Sequence, residues 1–324
     1  MSSNPQFDFA KSFGRKSGGR RVSPLSITVG ILVAAAIALV SLSGFYADWL
    51  WYKSVDYTSV WSTTLSTKVY LFIGFGLVTS LFVLLNVYLA FRRRPVYVSM
   101  AVENDNLERY RAQLEPLRKV AFAGVGLAVF YFAGTAGTSL WRTWLLFKNS
   151  TEFGVKDVQF NLDISFYAFR LPFWQSLISW GFSALILAIL ASGAVHYLYG
   201  GLRPQMREDR TTPFARVQLS VLLGLVVLLK GVAYWFDRYA LSLKENKLIT
   251  GLTYSDVNAL LPAKAILAGI AIICSLLFFA NIFRKSLFLP ASGTALLVIS
   301  SVLIAGVYPA AIQTFQVKPS ESSK

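Results

Sequence analysis

Three residues of one apolar segment have the types and spacing for ionic chemistry inside a membrane. Lys230, Tyr234 and Asp237 lie within VQLSVLLGLVVLLKGVAYWFDRY, residues 217–239, at positions i, i+4 and i+7. This spacing places them on one face of a helix. A charge within a membrane span is costly and generally faces protein or water. We therefore predict that the three residues form a functional intramembrane site.

Lys230 has three interpretations. Its ammonium could reach the outer interface along its aliphatic stem, form an ion pair with another helix, or serve in transport or proton relay. Asp237 lies seven residues further along, roughly 10 Å by the helical rise. That distance is long for a direct contact, so Tyr234 or water would have to bridge the two charges.

Catalytic and metal-binding chemistry has few candidates. With one histidine and one cysteine, bis-histidine haem, HExxH and multi-cysteine metal sites are excluded within this chain. The sequence has neither a P-loop nor a nucleophile elbow. His196 is expected to be a satisfied interfacial residue, with proton relay as the alternative, and Cys274 a small core or lipid-facing residue. We therefore expect no catalytic residue, no metal or cofactor site, and no enzyme activity.

Composition places the chain in the bilayer. Hydrophobic residues make up 55% of its 324 positions and charged residues 15%, against about 45–50% and about 25% in soluble domains. The net charge of +15 could indicate nucleic acid. However, the basic residues cluster in short segments between long apolar runs, as the positive-inside rule predicts for membrane proteins. We expect the lipid bilayer as partner, and no nucleic acid.

The apolar runs predict an all-α, polytopic transmembrane bundle of seven spans. Each run is long enough to cross a hydrocarbon core of about 30 Å and lacks the alternation of barrel strands. The predicted spans are residues 24–45, 68–91, 119–139, 172–198, 217–237, 262–283 and 287–310. Residues 1–23 are expected to be a disordered basic tail, and residues 311–324 an extracytoplasmic tail, with further sequence expected beyond it.

The distribution of lysine and arginine predicts an N-in, C-out orientation. More of these residues lie on one side of the predicted spans, which is therefore the cytoplasmic side. That side comprises segments 1–23, 92–119, 199–216 and 284–285. Arg92, Arg93, Arg94, Arg284 and Lys285 lie at span ends, where they are candidate contacts for anionic lipid or simple stop-transfer anchors.

Three connectors carry patterns of their own. Residues 104–119 have near-helical apolar spacing, typical of an interfacial amphipathic helix or a short soluble one. Residues 140–171 are rich in aromatic side chains, which indicates segments in the headgroup layer or a groove for an envelope protein partner. Thr253 or Ser255 could cap a short helix that leads to Pro262.

Several phrases occur together in a familiar order. They are DWLWY at 48–52, FGVKDVQFNLDISFYAFRLPFW at 153–174, KGVAYWFDRY at 230–239, LTYSDVNALLPAKAIL at 252–267 and YPAAIQTFQVKPSE at 308–321. With these phrases the chain resembles the UPF0182 family of bacterial, mainly actinobacterial, membrane proteins. The resemblance implies seven N-terminal spans followed by a large extracytoplasmic region, and it supplies no catalytic residue. The family is sometimes described as transporters.

Two functional hypotheses follow. The first is a membrane domain that anchors or scaffolds an extracytoplasmic region at the cell envelope, favoured by the C-out orientation and the aromatic connectors. The second is a transporter or lipid-handling protein with a polar site near Lys230. Paired broken helices, which are typical of many transporters, are not evident in the sequence.

Overall fold

The computed structural model describes residues 24–95, 113, 115–204, 210–245, 250–284 and 288–319. The predicted tail 1–23, most of the predicted amphipathic segment 104–119, and residues 320–324 lie outside these ranges. The chain divides into two compact units, residues 1–64 and 65–324.

The described residues form helices, turns and isolated bridges, with no strand among them. The helices are α1 Pro24–Ser54, α2 Thr58–Arg92, α3 Arg118–Thr138, α4 Trp141–Lys148, α5 Leu171–Leu198, α6 Pro213–Ala240, α7 Leu261–Arg284, α8 Phe288–Val302 and α9 Tyr308–Ile312. Single π-helical turns precede α5 and α7, join α8 to α9, and follow α9.

Seven helical segments of the described chain are long and apolar enough to cross a membrane. They are Ile27–Ser54, Thr58–Arg92, Arg118–Thr138, Phe166–Leu198, Pro213–Leu243, Asp256–Phe283 and Ala291–Val317. The all-α, seven-span fold class predicted from the sequence is therefore confirmed. Several of these helices extend beyond the predicted spans. The aromatic phrase DWLWY, for example, belongs to α1.

The first unit consists of α1 and the start of α2. Apolar side chains of α1 are exposed along its length, as suits a helix whose solvent is lipid. The helix ends at Ser54, and Asp56 adopts a left-handed φ of 59° in the tight connection to Thr58. Phe45 and Trp61 make an edge-to-face ring contact at 5.0 Å across this connection.

Helices α5, α6 and α7 form the centre of the second unit, with α6 packed most extensively against α7. Small residues permit the close approach, since an added Cβ on Gly231 would lie 3.3 Å from the Ala268 carbonyl oxygen and the Ala271 Cβ. Leu222 of α6 joins a buried cluster with Leu185 and Ala188 of α5 and Val83 of α2.

Helices α2 and α3 approach each other through glycine. A Cβ on Gly76 would lie 2.6 Å from the Phe130 carbonyl oxygen, and one on Gly134 would lie 2.8 Å from that of Phe72. Gly126 and Gly137, which the sequence suggests as packing positions, do contact α2. The small-residue pattern of the sequence predicts Gly124 and Gly269 as packing positions too, and for these two the prediction is wrong. Both face open space, because they lie on the outward faces of their helices.

A side-chain cap starts the helical segment that leads into α7. Thr253 Oγ1 accepts a hydrogen bond from Asp256 N at 3.3 Å, while Asp256 Oδ2 accepts one from Thr253 N at 3.0 Å. This reciprocal pair is a capping box, and it confirms Thr253 as a cap. Asp256 is fully buried and also binds Lys244 Nζ at 2.8 Å.

Candidate functional site

The three residues predicted as an intramembrane site lie in the C-terminal half of α6. Tyr234 is 6% exposed and packs against Leu267 and Ala268 of α7. The Lys230 ammonium lies 4.6 Å from the centre of the Tyr234 ring. This is within cation–π range, so the aromatic face offsets part of the cost of a half-buried charge.

Asp237 is neutralised by a residue that the sequence reasoning missed. Lys264 Nζ of α7 lies 2.8 Å from Asp237 Oδ2, and the two side chains are 21% and 37% exposed. Lys264 also lies 5.4 Å from the Tyr234 ring centre. The sequence order could have indicated this pair. When two consecutive helices run antiparallel, the last turn of the first, here with Asp237, lies beside the first turn of the second, here with Lys264.

The resulting cluster holds two ammonium groups, one carboxylate and one phenol. The pair between Lys264 and Asp237 is a charge-assisted hydrogen bond, and it leaves the Lys230 ammonium as the excess charge. The Tyr234 hydroxyl lies 3.4 Å from Ser301 Oγ of α8, so the cluster spans three helices. Chemically, the cluster can hold α6, α7 and α8 together or attract an anion.

A second polar cluster lies toward the other end of α6 and is also missed by sequence reasoning. Gln218 Nε2 donates to the Asn86 carbonyl oxygen at 2.9 Å, and Gln218 Oε1 lies 2.9 Å from His196 Nε2. Because an amide oxygen can only accept, His196 Nε2 carries the proton. His196 is 2% exposed. It is therefore a satisfied residue between helices, as expected, although it is buried rather than interfacial.

The described residues contain no group of three or more His, Cys, Asp and Glu arranged to hold a metal ion. An apolar cavity of about 400 Å³ lies between α2, α5 and α6, and its lining includes Leu229 and Val232 of α6. Lys230 does not line this cavity.

Several aromatic rings of the connector 140–171 pack against α5 and α6. Rings of Phe147 and Phe173 stack at 4.3 Å, and Phe160 lies 4.8 Å from Tyr239 at the end of α6. The exposed large apolar side chains of the connector are Leu146, Phe153, Val155, Val158 and Ile164, and Val158 is completely exposed.

Asp163 organises this connector. Its carboxylate accepts backbone hydrogen bonds from Ser165 at 2.8 Å, Phe153 at 3.1 Å and Gly154 at 2.9 Å. Hydrogen bonds from the Ser165 side chain and then the Phe153 backbone lower the pKa of Asp163 from 3.8 to about 2.

The basic span ends are only partly described. Arg92 ends α2 and Arg93 follows it, while the Arg94 guanidinium lies 4.2 Å from the Phe91 ring centre. Arg284 ends α7, and Lys285 lies outside the described ranges.

Comparison with known proteins decides the family. Residues 25–324 match the family described as "Uncharacterised protein family (UPF0182)". The chain belongs to the UPF0182 family. It is 48% identical over 316 residues to a UPF0182 protein of Streptomyces coelicolor, covering 96% of this chain and 31% of that relative.

Other UPF0182 proteins show the same partial coverage. A relative from a Nocardioides species is 44% identical over 95% of this chain and 31% of its own length. One from Thermobifida fusca is 43% identical over 93% of this chain and 29% of its own length. The chain therefore spans about a third of the length of the curated relatives it matches. No solved structure matches the chain.

Proposed function

We propose that this UPF0182 chain is a non-enzymatic plasma-membrane domain that anchors or scaffolds an extracytoplasmic region at the cell envelope. The observation that carries the proposal is that the chain has seven membrane-length helices while its relatives are about three times as long. In those relatives the seven helices would hold the remaining residues at the membrane. The exposed apolar residues of the connector 140–171 offer a surface for the headgroup layer or for an envelope partner.

A reporter fusion tests the anchoring role. Alkaline phosphatase becomes active only after export, so we expect a fusion after Lys324 to be active and to remain with the membrane fraction. The matched control is a fusion after Arg94, which follows α2 and should be inactive. An inactive fusion after Lys324, or an active one released from membranes, would contradict the proposal.

A second candidate function is transport or lipid handling at the Lys230 cluster. It is favoured by the excess ammonium beside Tyr234 inside a membrane-length helix, because intramembrane charges commonly mark pathways. The test uses proteoliposomes of the purified chain and measures chloride efflux and the transbilayer movement of fluorescent phosphatidylglycerol. We expect a rate above that of empty liposomes which falls in Lys230→Met but not in Lys53→Met. Rates equal to those of empty liposomes would remove this candidate.

A further inference from the structure

A groove on the second unit combines an apolar interior with a cationic mouth. It lies between α2, α3 and α5, has a volume of about 500 Å³, and is lined by Val87, Phe122, Val125 and Ala191. This volume is within the range of about 300–1,000 Å³ typical of small-molecule sites. Along α3 the groove extends from Arg118 to Val125, seven residues or roughly 10 Å by the helical rise.

The cations lie at one end of the groove. Arg118 and Lys119, the first two residues of α3, belong to its lining. The Arg94 guanidinium is held beside them, at 4.2 Å from the Phe91 ring centre and 5.0 Å from that of Tyr199. Phe91 and Tyr199 both line the groove and contact each other edge to face. Aromatic lining residues therefore fix a third cation at the mouth.

In the described part of the chain, one carboxylate lies at this end of the groove. Glu115 lies 3.6 Å from Arg94 and 3.9 Å from Arg118, at distances that indicate loose surface pairs. The Arg118 and Glu115 side chains are both about half exposed. Among the described residues, three cations against one carboxylate leave the mouth positively charged, and the exposed Lys119 lines the groove in addition to Arg118.

We propose that this groove binds an anionic phospholipid of the bilayer, with one acyl chain along the apolar lining and the phosphate at Arg118 and Lys119. The groove begins at the helix ends, where headgroups lie, and continues toward the hydrocarbon core. Arginine binds phosphate through paired N–H donors, and basic pockets between membrane helices recognise anionic headgroups. A soluble anion would leave the apolar lining empty. This inference is independent of both proposed functions.

Native mass spectrometry of the purified chain in equimolar phosphatidylglycerol and phosphatidylcholine tests the charge recognition. We expect one retained phosphatidylglycerol in the unmodified chain. In the double variant Arg118→Gln/Lys119→Gln, the preference for phosphatidylglycerol should fall about tenfold or more. Each basic residue near an anionic membrane surface contributes a preference of about fivefold, and the variant removes two of them. The matched control is Arg142→Gln/Lys148→Gln, which removes the same charge from α4 and should keep the preference.

A groove-filling variant tests the location. Ala194 lines the groove on α5 and is exposed, so Ala194→Trp should reduce retention of both lipids. Ala123→Trp places the same side chain at an exposed position of α3 outside the lining and should have no effect. Unchanged lipid selectivity in Arg118→Gln/Lys119→Gln would overturn the proposal. So would a dimer lost specifically in Ala194→Trp, because the groove would then hold a second copy. If Ala194→Trp fails to fold, the charge variants alone decide.

Discussion

Asp237 is a carboxylate near the end of an apolar helix, and Lys264 is the group that keeps it paired. The pair is partly buried, at 21% and 37% side-chain exposure, so its contribution lies between that of a surface pair and that of a buried one. Among the described residues, Lys230 makes no ion pair, and its ammonium contacts the Tyr234 ring. Within this cluster, Lys264 therefore matters more for stability than Lys230 does.

We predict that Lys264→Met destabilises the protein in detergent by about 1–3 kcal/mol, because it leaves Asp237 without its partner. Lys230→Met should cost less, since it removes a cation–π contact of about 0.5–1 kcal/mol. Thermal unfolding of Asp237→Asn, of Lys264→Met and of the double variant Asp237→Asn/Lys264→Met measures the coupling between the two side chains. Strictly additive single effects would show that the pair contributes nothing.

Asp163 shows how one carboxylate orders a connector outside the spans. Its folded-state pKa of about 2 is below the ordinary value of 3.8. Its stabilising effect is therefore complete above about pH 4 and is lost as the pH falls through about 2. At neutral pH the carboxylate holds residues 153–154 to the start of the helix at residue 164.

We predict that the wild-type connector resists pepsin at pH 4 and becomes cleavable near Phe153 as the pH approaches 2. Asp163→Asn should be cleaved at both pH values, because its side chain cannot accept the same set of backbone donors as a charged carboxylate. Glu152→Gln, which changes an exposed neighbouring carboxylate, should cleave like the wild type. Resistance of Asp163→Asn at pH 4 would refute this role.

At the scale of helices, the contact between α2 and α3 depends on glycine rather than on large apolar side chains. Without a hydrophobic driving force between helices in lipid, close backbone packing becomes a principal source of association. Ser80 Oγ adds a hydrogen bond to the Gly126 carbonyl oxygen at 2.9 Å. Glycines on the two faces of α3 therefore have different roles.

We predict that Gly134→Ala costs about 1–3 kcal/mol, because its methyl group would lie 2.8 Å from the Phe72 carbonyl oxygen and force the helices apart. Gly124→Ala, on the open face of the same helix, should be neutral or stabilising by up to about 1 kcal/mol through helix propensity. Thermal unfolding of the two variants checks the difference. Equal changes in stability for Gly134→Ala and Gly124→Ala would show that Gly134 does not lie in the α2–α3 contact.

The buried link from Asn86 through Gln218 to His196 joins α2, α6 and α5. We predict that Gln218→Leu destabilises the chain by about 1–3 kcal/mol, because the His196 N–H loses its acceptor in a buried setting. His196→Leu/Gln218→Leu should cost less than the sum of the single changes, since both unsatisfied groups are then removed. Chemical unfolding in detergent measures the free energy of unfolding of Gln218→Leu, His196→Leu and the double variant. An effect of the double variant equal to the sum of the two single effects would contradict the link.

For the whole molecule, the proposed orientation places residue 158 outside and residue 115 inside the cell. We predict that Val158→Cys reacts with a membrane-impermeant maleimide in intact cells, in a Cys274→Ser background that removes the native thiol. Glu115→Cys, three residues before α3 begins and half exposed, should react only after permeabilisation. The reverse pattern would overturn the N-in, C-out orientation and the placement of the aromatic connector.

Sequence alone was sufficient for the all-α, seven-span class and for UPF0182 membership. Hydrophobic length is a local property, and a membrane span needs about 20 consecutive apolar residues whatever its neighbours are. The Thr253 cap was predictable for the same reason, because its partner Asp256 lies three residues away.

Only the tertiary structure decided which distant residues meet. Gln218 bonds a residue 132 positions away, Asp237 pairs with one 27 positions away, and one groove is lined by the ends of three helices. Hydropathy specifies that a helix spans, but it does not specify which face meets which neighbour. That choice depends on the fit of small residues and polar groups between helices. In this fold Gly124 and Gly269 lie on open faces, while His196 is buried.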